Sequence, residues 1–371
     1  MKILITGGAG FIGSHLADLL LGRGHAVRAL DSLEVQVHPR RTRPRYLADG
    51  VELIEGDVRD RAAVRAALDG IDAVFHLAAI VGVGQSQYEI ARYTDANVNG
   101  TAMLLDVLAN DPHRVKKLVV ASSMSLYGEG LYADPESGAP VAAAVRPLAQ
   151  LERGDFEVRS SSGAALRPLP TPEWKPADCQ SIYAHNKRDQ EEYVLLHGRT
   201  YGFPTVAARL FNTYGARQSL RNPYTGAAAI FISRVRRGLA PLIYEDGEQQ
   251  RDFVDVRDVA RAFLLLLESE AANGRAVNVG SGQAATIAEV ARRICAIAGT
   301  GLEPEITGRA RKGDIRHCFA DITAIRELGY APAISLEQGL RDLFAASAED
   351  EDVTPDDAKV NAELEQRRLL V

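Results

Sequence analysis

A glycine-rich turn set directly behind an apolar strand fixes how this chain begins to fold. Lys2 to Thr6 (KILIT) is a short apolar run that reads as a buried parallel strand, and Gly7-Gly8-Ala9-Gly10-Phe11-Ile12-Gly13 follows it. From Phe11 to Arg23 the apolar residues Phe11, Ile12, Leu16, Leu19 and Leu20 recur at helical spacing, and Gly24 stops the helix. This strand–turn–helix context gives each glycine a task. Gly7 permits the tight turn, Gly10 lets backbone approach a pyrophosphate, and Gly13 allows close packing of helix on strand, while the helix amino end favours phosphate charge. Asp31 closes the second strand, where a carboxylate can hold both ribose hydroxyls and repel a 2′-phosphate, so the pattern predicts NAD over NADP. Arg40 and Arg41 are the nearby residues that could accept a 2′-phosphate instead.

The alternation continues beyond the first unit. Val27 to Leu30, Val51 to Glu55, Ala73 to Leu77, Lys117 to Ser122 and Thr205 to Leu210 read as further strands, with helices at Arg61 to Leu68 and Asn97 to Leu108 between them. Crossovers of these lengths suit parallel pairing, so the expected fold class is α/β, a doubly wound parallel sheet of Rossmann type with a smaller, partly interleaved α/β substrate domain. The expected division gives 1–215 to the dinucleotide-binding domain, with an insertion at 129–180 and a return at 250–280. Residues 216–249 and 281–347 form the substrate domain. The insertion is rich in Pro, Ala, Ser and Gly, has little periodicity, and is too long for an ordinary connection. A substrate-covering lid and a surface decoration are equally open readings of it. Residues 348–371 read as an acidic tail, mobile or weakly helical, with no chemistry assigned.

Composition excludes several classes of function. The formal charge of −6 is spread over mixed signs, and apart from Arg40, Arg41, Arg43 and Arg45 no basic face stands out, which argues against a nucleic-acid partner. Cys179, Cys295 and Cys318 are an odd count without CxxC spacing, so neither a disulfide framework nor a metal site is expected. The chain opens on a strand without a basic leader, and no apolar run reaches the ~18 residues of a membrane span; a cytoplasmic protein is expected.

Tyr183 and Lys187, in YAHNK, lie four residues apart and so share one face of a helix. A lysine ammonium beside a tyrosine favours phenolate, which would bring a phenol of pKa about 10 toward working pH as a general base. Ser122, Ser123 and Ser125 end the fifth strand at the carboxyl edge of the sheet, where a hydroxyl can orient a substrate hydroxyl. Gly56-Asp57-Val58 follows the third strand and could place Asp57 near an adenine amino group and supply the Val58 amide; a plain turn aspartate fits the spacing nearly as well.

With these motifs the sequence resembles the extended short-chain dehydrogenase/reductases, in particular their NAD-dependent nucleotide-sugar epimerases and dehydratases, over about residues 1 to 345. The resemblance rests on an ordered series: TGGAGFIGSHL, GDVRD, FHLAA at 75–79, Asn97-Val-Asn-Gly-Thr101, SSMSLYG at 122–128, YAHNK, RLFNTYG at 209–215 and QRDFVDVRDV from Gln250. It implies that Phe11 and Ile12 of the turn, together with Leu77, Ala78, Ala79, Asn97, Tyr183 and Lys187, contact the cofactor, and that Ser123 is the hydroxyl partner of Tyr183. It further implies that Ser125, Asn212 and Asn222 face a nucleoside-diphosphate sugar, with Arg251 and Arg311 on its diphosphate and ribose, a task suited to bidentate guanidinium; Arg316 is a further candidate. Dehydratases of the family carry an Asp-Glu pair after the serine, where this chain has Met124 and Ser125. The resemblance therefore points to a 4-epimerase on a dTDP- or UDP-hexose, and to a homodimer paired through Val98 to Leu108 and Tyr183 to Leu196.

Overall fold

The computed structural model describes residues 1–222, 224–349, 363, 365–367 and 370; the rest of the acidic tail lies outside the described residues. Seven strands form one sheet: β1 (Lys2–Thr6), β2 (Ala26–Asp31), β3 (Val51–Glu55), β4 (Ala73–His76), β5 (Lys117–Ser123), β6 (Thr205–Leu210) and β7 (Ala276–Val279). Their order is 3-2-1-4-5-6-7 and every pair is parallel. The order reverses between β1 and β4, which opens a crevice at the carboxyl ends of those strands.

The sheet is covered on both faces because its central strands are apolar on both. Along β1, Ile3 and Ile5 join one cluster while Leu4 joins the other. The first cluster takes Leu16 and Leu20 of helix α1 (Phe11–Gly22) and Phe263 of a helix at Val256–Glu268. The second takes Val64 of α2 (Arg61–Leu68), Leu104 and Leu108 of α3 (Gly100–Asn110), and Val194 of α4 (Ile182–Tyr201). Helix α2 begins where Asp60 accepts the Ala62 amide, and α4 where Ser181 accepts that of Ala184. Before α3 the chain makes a π-helical turn at Asp95–Asn99, a feature the periodicity of Asn97 to Leu108 does not reveal.

A third cluster lies beyond the sheet, where helices Ala227–Arg236, Ile287–Ala298 and Leu336–Ala346 pack through Phe231, Ile232, Ile294, Leu340 and Leu343. The 250–280 segment runs between the two bodies. It begins with strand Gln250–Asp255, paired with Asn212–Tyr214, and ends as β7 in the main sheet.

Residues 129–180 are ordered by pairing and buried charge. Leu131–Ala133 pairs antiparallel with both Pro140–Ala142 and Arg167–Leu169. Arg316, fully buried, places its guanidinium on Glu157 at 2.5 Å, Asp246 at 2.6 Å and Glu245 at 3.0 Å, and Arg146 pairs with Glu245 at 2.8 Å. The Glu129 carboxylate accepts the amides of Arg316 and His317. The segment is thus fastened to the 245–246 turn and to Arg316, and it is not a loose decoration.

Candidate active site

The crevice at the strand-order reversal is a cavity of about 410 Å³. Gly7, Gly10, Phe11, Ile12 and Gly13 line one side of it, Asp31 another, and Leu77, Ala78 and Ala79 the floor, with Ser122, Ser123, Tyr183 and Lys187 at the far end. Gly7 has φ 70°, and a Cβ there would lie 2.9 Å from the Ala78 amide nitrogen. A Cβ on Gly13 would stand 2.4 Å from the Gly7 carbonyl oxygen, which is why α1 can descend this closely onto the turn.

The residues present fit a dinucleotide. No side chain caps the amino end of α1 and its first turn holds no acidic residue, so those amides face the cavity available to a pyrophosphate. Asp31 is held by the amides of Ala9 and Leu33, both at 2.9 Å, with the cavity before it. Burial pushes its pKa up, against those amides and the neighbouring His38. Arg40 and Arg41 do not line the cavity; Arg41 reaches back to the Ser32 carbonyl and Glu55. Arg59 does line it, but is tied to Asp57 at 2.6 Å and Asp95 at 2.5 Å; Arg217, which also lines it, pairs with Asp18 at 2.7 Å through Nη2 and has Nη1 without a hydrogen-bond partner among the described residues. Asp57 and Val58 line the same wall. Arg59 holds the Asp57 carboxyl below its usual range.

At the catalytic end Tyr183 and Lys187 are one turn apart on α4, both buried. The Tyr183 amide donates to Ser86 Oγ at 3.0 Å, which fixes the start of this helix against the 83–86 segment. Burial pushes the Tyr183 phenol up to about 12, opposed by its hydrogen bond with Ser123. Burial pushes Lys187 down to about 7, and its Nζ donates to the Ala121 carbonyl at 2.9 Å. The lysine points at the end of β5, and Ser123 supplies the opposing pull.

Glu191, one further turn along α4, accepts the Ser122 hydroxyl at 2.6 Å and pairs with Arg209 of β6 at 2.6 Å, locking helix to strands. Sequence reasoning missed it. The i, i+4, i+8 spacing of Tyr183, Lys187 and Glu191 was the available signal.

Two further expectations are corrected. Asn97 does not line the cavity. Its side-chain amide clamps the Ile80 backbone, accepting the N–H at 2.8 Å and donating to the carbonyl at 3.1 Å, so it shapes the loop after β4 from behind. Ser125 is also absent from the cavity wall; its hydroxyl donates to Ser123 Oγ at 2.9 Å.

Asn212 lines the first cavity and a second one of about 220 Å³ that also receives Arg251 and Arg311. Asn212 Oδ1 and Arg311 Nε are buried without a hydrogen-bond partner among the described residues, which marks them as groups awaiting a polar ligand. The Arg311 guanidinium stacks 4.0 Å over the Tyr244 ring, and Arg251 is braced by the carbonyls of Gln250, Ile315 and Arg316. Arg316 is fully buried, carries the carboxylates of Glu157, Glu245 and Asp246, and lines neither cavity. No residue of 129–180 lines either cavity. Asn222 lines the first cavity, but its Oδ1 is taken by the Tyr224 amide and by Gln36, both at 3.0 Å. Tyr224 and Tyr88 in turn share the Glu363 carboxylate of the tail at 3.1 and 2.8 Å.

A parallel sheet with a glycine turn at its switch point, a carboxylate at the end of β2 and a Ser-Tyr-Lys set at the cavity's end define a dinucleotide-dependent enzyme of the short-chain dehydrogenase type. Comparison with known proteins places the chain in one family: residues 3–148 and 160–280 match the model of the NAD dependent epimerase/dehydratase family, and the chain belongs to it. It is 36% identical to a dTDP-L-rhamnose 4-epimerase of Burkholderia thailandensis, over 92% of this chain and 93% of that protein. The UDP-glucose 4-epimerase of Thermotoga maritima, solved with UDP-glucose, superposes with a TM-score of 0.77 at 30% identity, covering 95% of this chain and all of that one. That of Thermus thermophilus, solved with NAD, gives 0.75 at 30% identity over 94% and 99%.

Proposed function

We propose that this chain is a nucleotide-sugar 4-epimerase acting on a dTDP- or UDP-hexose, of the dTDP-L-rhamnose type, with NAD held throughout the cycle. The observation that carries the reading is the composition of the catalytic end: Ser123, Tyr183 and Lys187 face the cofactor cavity, while Met124 and Ser125 stand where elimination would require a carboxylate pair.

When bound, NAD supplies a hydride acceptor for the sugar C4 and returns that hydride. The protein's own part is proton handling and orientation. Ser123 hydrogen-bonds the Tyr183 phenol and so stabilises its deprotonated form; Tyr183 takes the C4 hydroxyl proton as the sugar is oxidised and gives it back on reduction. Inversion requires the 4-keto sugar to present its other face, so the diphosphate must be held while the hexose turns. Asn212, which lines both cavities, and Arg251 and Arg311, which line the second, support that anchoring.

Exposed Tyr193 and Leu196 on α4 support pairing of two copies through that helix. Cys179, Cys295 and Cys318 are free thiols, which suits work in the reducing cytoplasm; among the described residues no helix is long and apolar enough to cross a membrane. Incubation with a panel of UDP- and dTDP-hexoses tests the function. Isomers of unchanged mass are expected, and loss of water or carbon dioxide, or net NADH formation, would replace the reading with a dehydratase, decarboxylase or oxidoreductase.

A further inference from the structure

An enzyme that reoxidises its own cofactor gains nothing from releasing it, and the structure contains a contact suited to keeping it in. Gln36 lies in the loop after Asp31 and lines the cofactor cavity. Its Nε2 donates to Gln85 Oε1 at 3.1 Å and to Asn222 Oδ1 at 3.0 Å, and its Oε1 accepts from Arg92 Nη2 at 3.2 Å. One amide therefore joins three segments remote in sequence: the loop beside the ribose-holding carboxylate, the Gln85 segment, and the Asn222 segment that borders the substrate side.

The partners are themselves fixed. Gln85 is buried and its Oε1 also accepts the Tyr93 hydroxyl at 2.9 Å; Asn222 Oδ1 also holds the Tyr224 amide; Arg92 is paired with Glu34 at 3.1 Å and with Glu89. Asn222 and Tyr224 line the same cavity as Gln36. The bridge thus spans the cavity from its cofactor wall to its substrate wall. A ligand seated on Asp31 and the α1 amides would share the cavity with this bridge.

We propose that Gln36 is a positioning residue that latches the cofactor cavity through Asn222 and Gln85 and sets the rate at which NAD dissociates. The proposal rests on the reading of NAD as a retained cofactor, but its test does not depend on which sugar is turned over. Hydrogen bonds of this kind contribute modestly one by one, so loss of the bridge predicts about ten- to hundred-fold faster release.

The experiment uses the full-length protein loaded with NADH, and follows release by the fall in bound-nucleotide fluorescence on dilution into excess NAD, for the wild type and for Gln36→Ala, Gln36→Leu, Asn222→Ala and the Gln36→Ala/Asn222→Ala pair. Both Gln36 variants and Asn222→Ala are expected to release NADH faster. The double variant should be no faster than the quicker single one, because both remove the same bridge. Nucleotide content after gel filtration should fall in the same order, with thermal midpoints close to wild type. Wild-type release rates in the Gln36 variants, or strictly multiplicative effects in the pair, would overturn the latch. If no sugar on the panel is epimerised but release still quickens, the latch stands and only the reaction assignment fails.

Discussion

Lys187 directs its Nζ to the carbonyl of Ala121, 2.9 Å away, from the helix that carries Tyr183 one turn earlier. The bond ties α4 to the carboxyl end of β5, the strand whose last residue is Ser123. Burial pushes Lys187 from an ordinary 10.5 to about 7. Between those values the unfolded chain binds the proton that the folded chain lacks, so folding stability rises with pH from about 7 to about 10.5, and the penalty is fully felt below 7.

Lys187→Met should therefore stabilise the fold while abolishing turnover. The expected gain at pH 7 is roughly 2–4 kcal/mol, less than the full titration value because the Ala121 carbonyl loses its donor. The gain should shrink as pH approaches 10.5. Urea unfolding at pH 7, 9 and 10.5 measures it, and a variant less stable than wild type at pH 7 would contradict the desolvation account.

Ser123→Ala tests the opposing pull on Tyr183. Removing the hydrogen bond that lowers the phenol leaves burial unopposed, so its pKa rises further. The general base must be deprotonated to act, so the rising limb of kcat against pH should move to higher pH, with about 10- to 1,000-fold lower kcat at pH 7. An unmoved limb with only a weaker KM would reduce Ser123 to a substrate contact.

Gly13→Ala places a methyl 2.4 Å from the Gly7 carbonyl oxygen and 2.7 Å from Gly8 Cα, both rigid backbone atoms. Helix and turn must separate. A loss of about 1–3 kcal/mol in stability and a large drop in bound NAD are expected; calorimetry and the nucleotide content of purified protein read both. Retained NAD at wild-type stability would show that the close packing is not required.

Glu191→Ala leaves the half-buried Arg209 without its carboxylate partner and Ser122 without its acceptor. Breaking one side of a buried pair typically costs about 3–5 kcal/mol. Denaturant unfolding should show a loss of that order, with kcat reduced through misplacement of Ser123. A near-neutral variant would mean that the pair does not position the site.

Most of the cofactor site is legible in the sequence, because its parts are local: the glycine turn, Asp31 at a strand end and the Tyr183–Lys187 spacing each depend on residues within one strand–turn–helix unit or one helical turn. The corrections arise where partners come from elsewhere. Asn97 turns to Ile80 through a π-turn that no hydrophobic period encodes. Residues 129–180 lack periodicity because they are ordered by Arg316, Glu245 and Asp246, charges far along the chain whose burial no local pattern announces. Gln36 escapes notice for the same reason: its role exists only where three loops meet.

The central claim is that the hydride leaves the sugar C4 and returns to the same carbon within one occupancy of the site. Incubation of the enzyme with a nucleotide hexose deuterated at C4, followed by mass and NMR analysis of the epimer, tests it most directly. The account predicts that deuterium is retained at C4 of the inverted product with no added NAD, and that Tyr183→Phe loses this turnover while keeping its bound nucleotide. Product without the label, or one NADH released for each sugar converted, would contradict it.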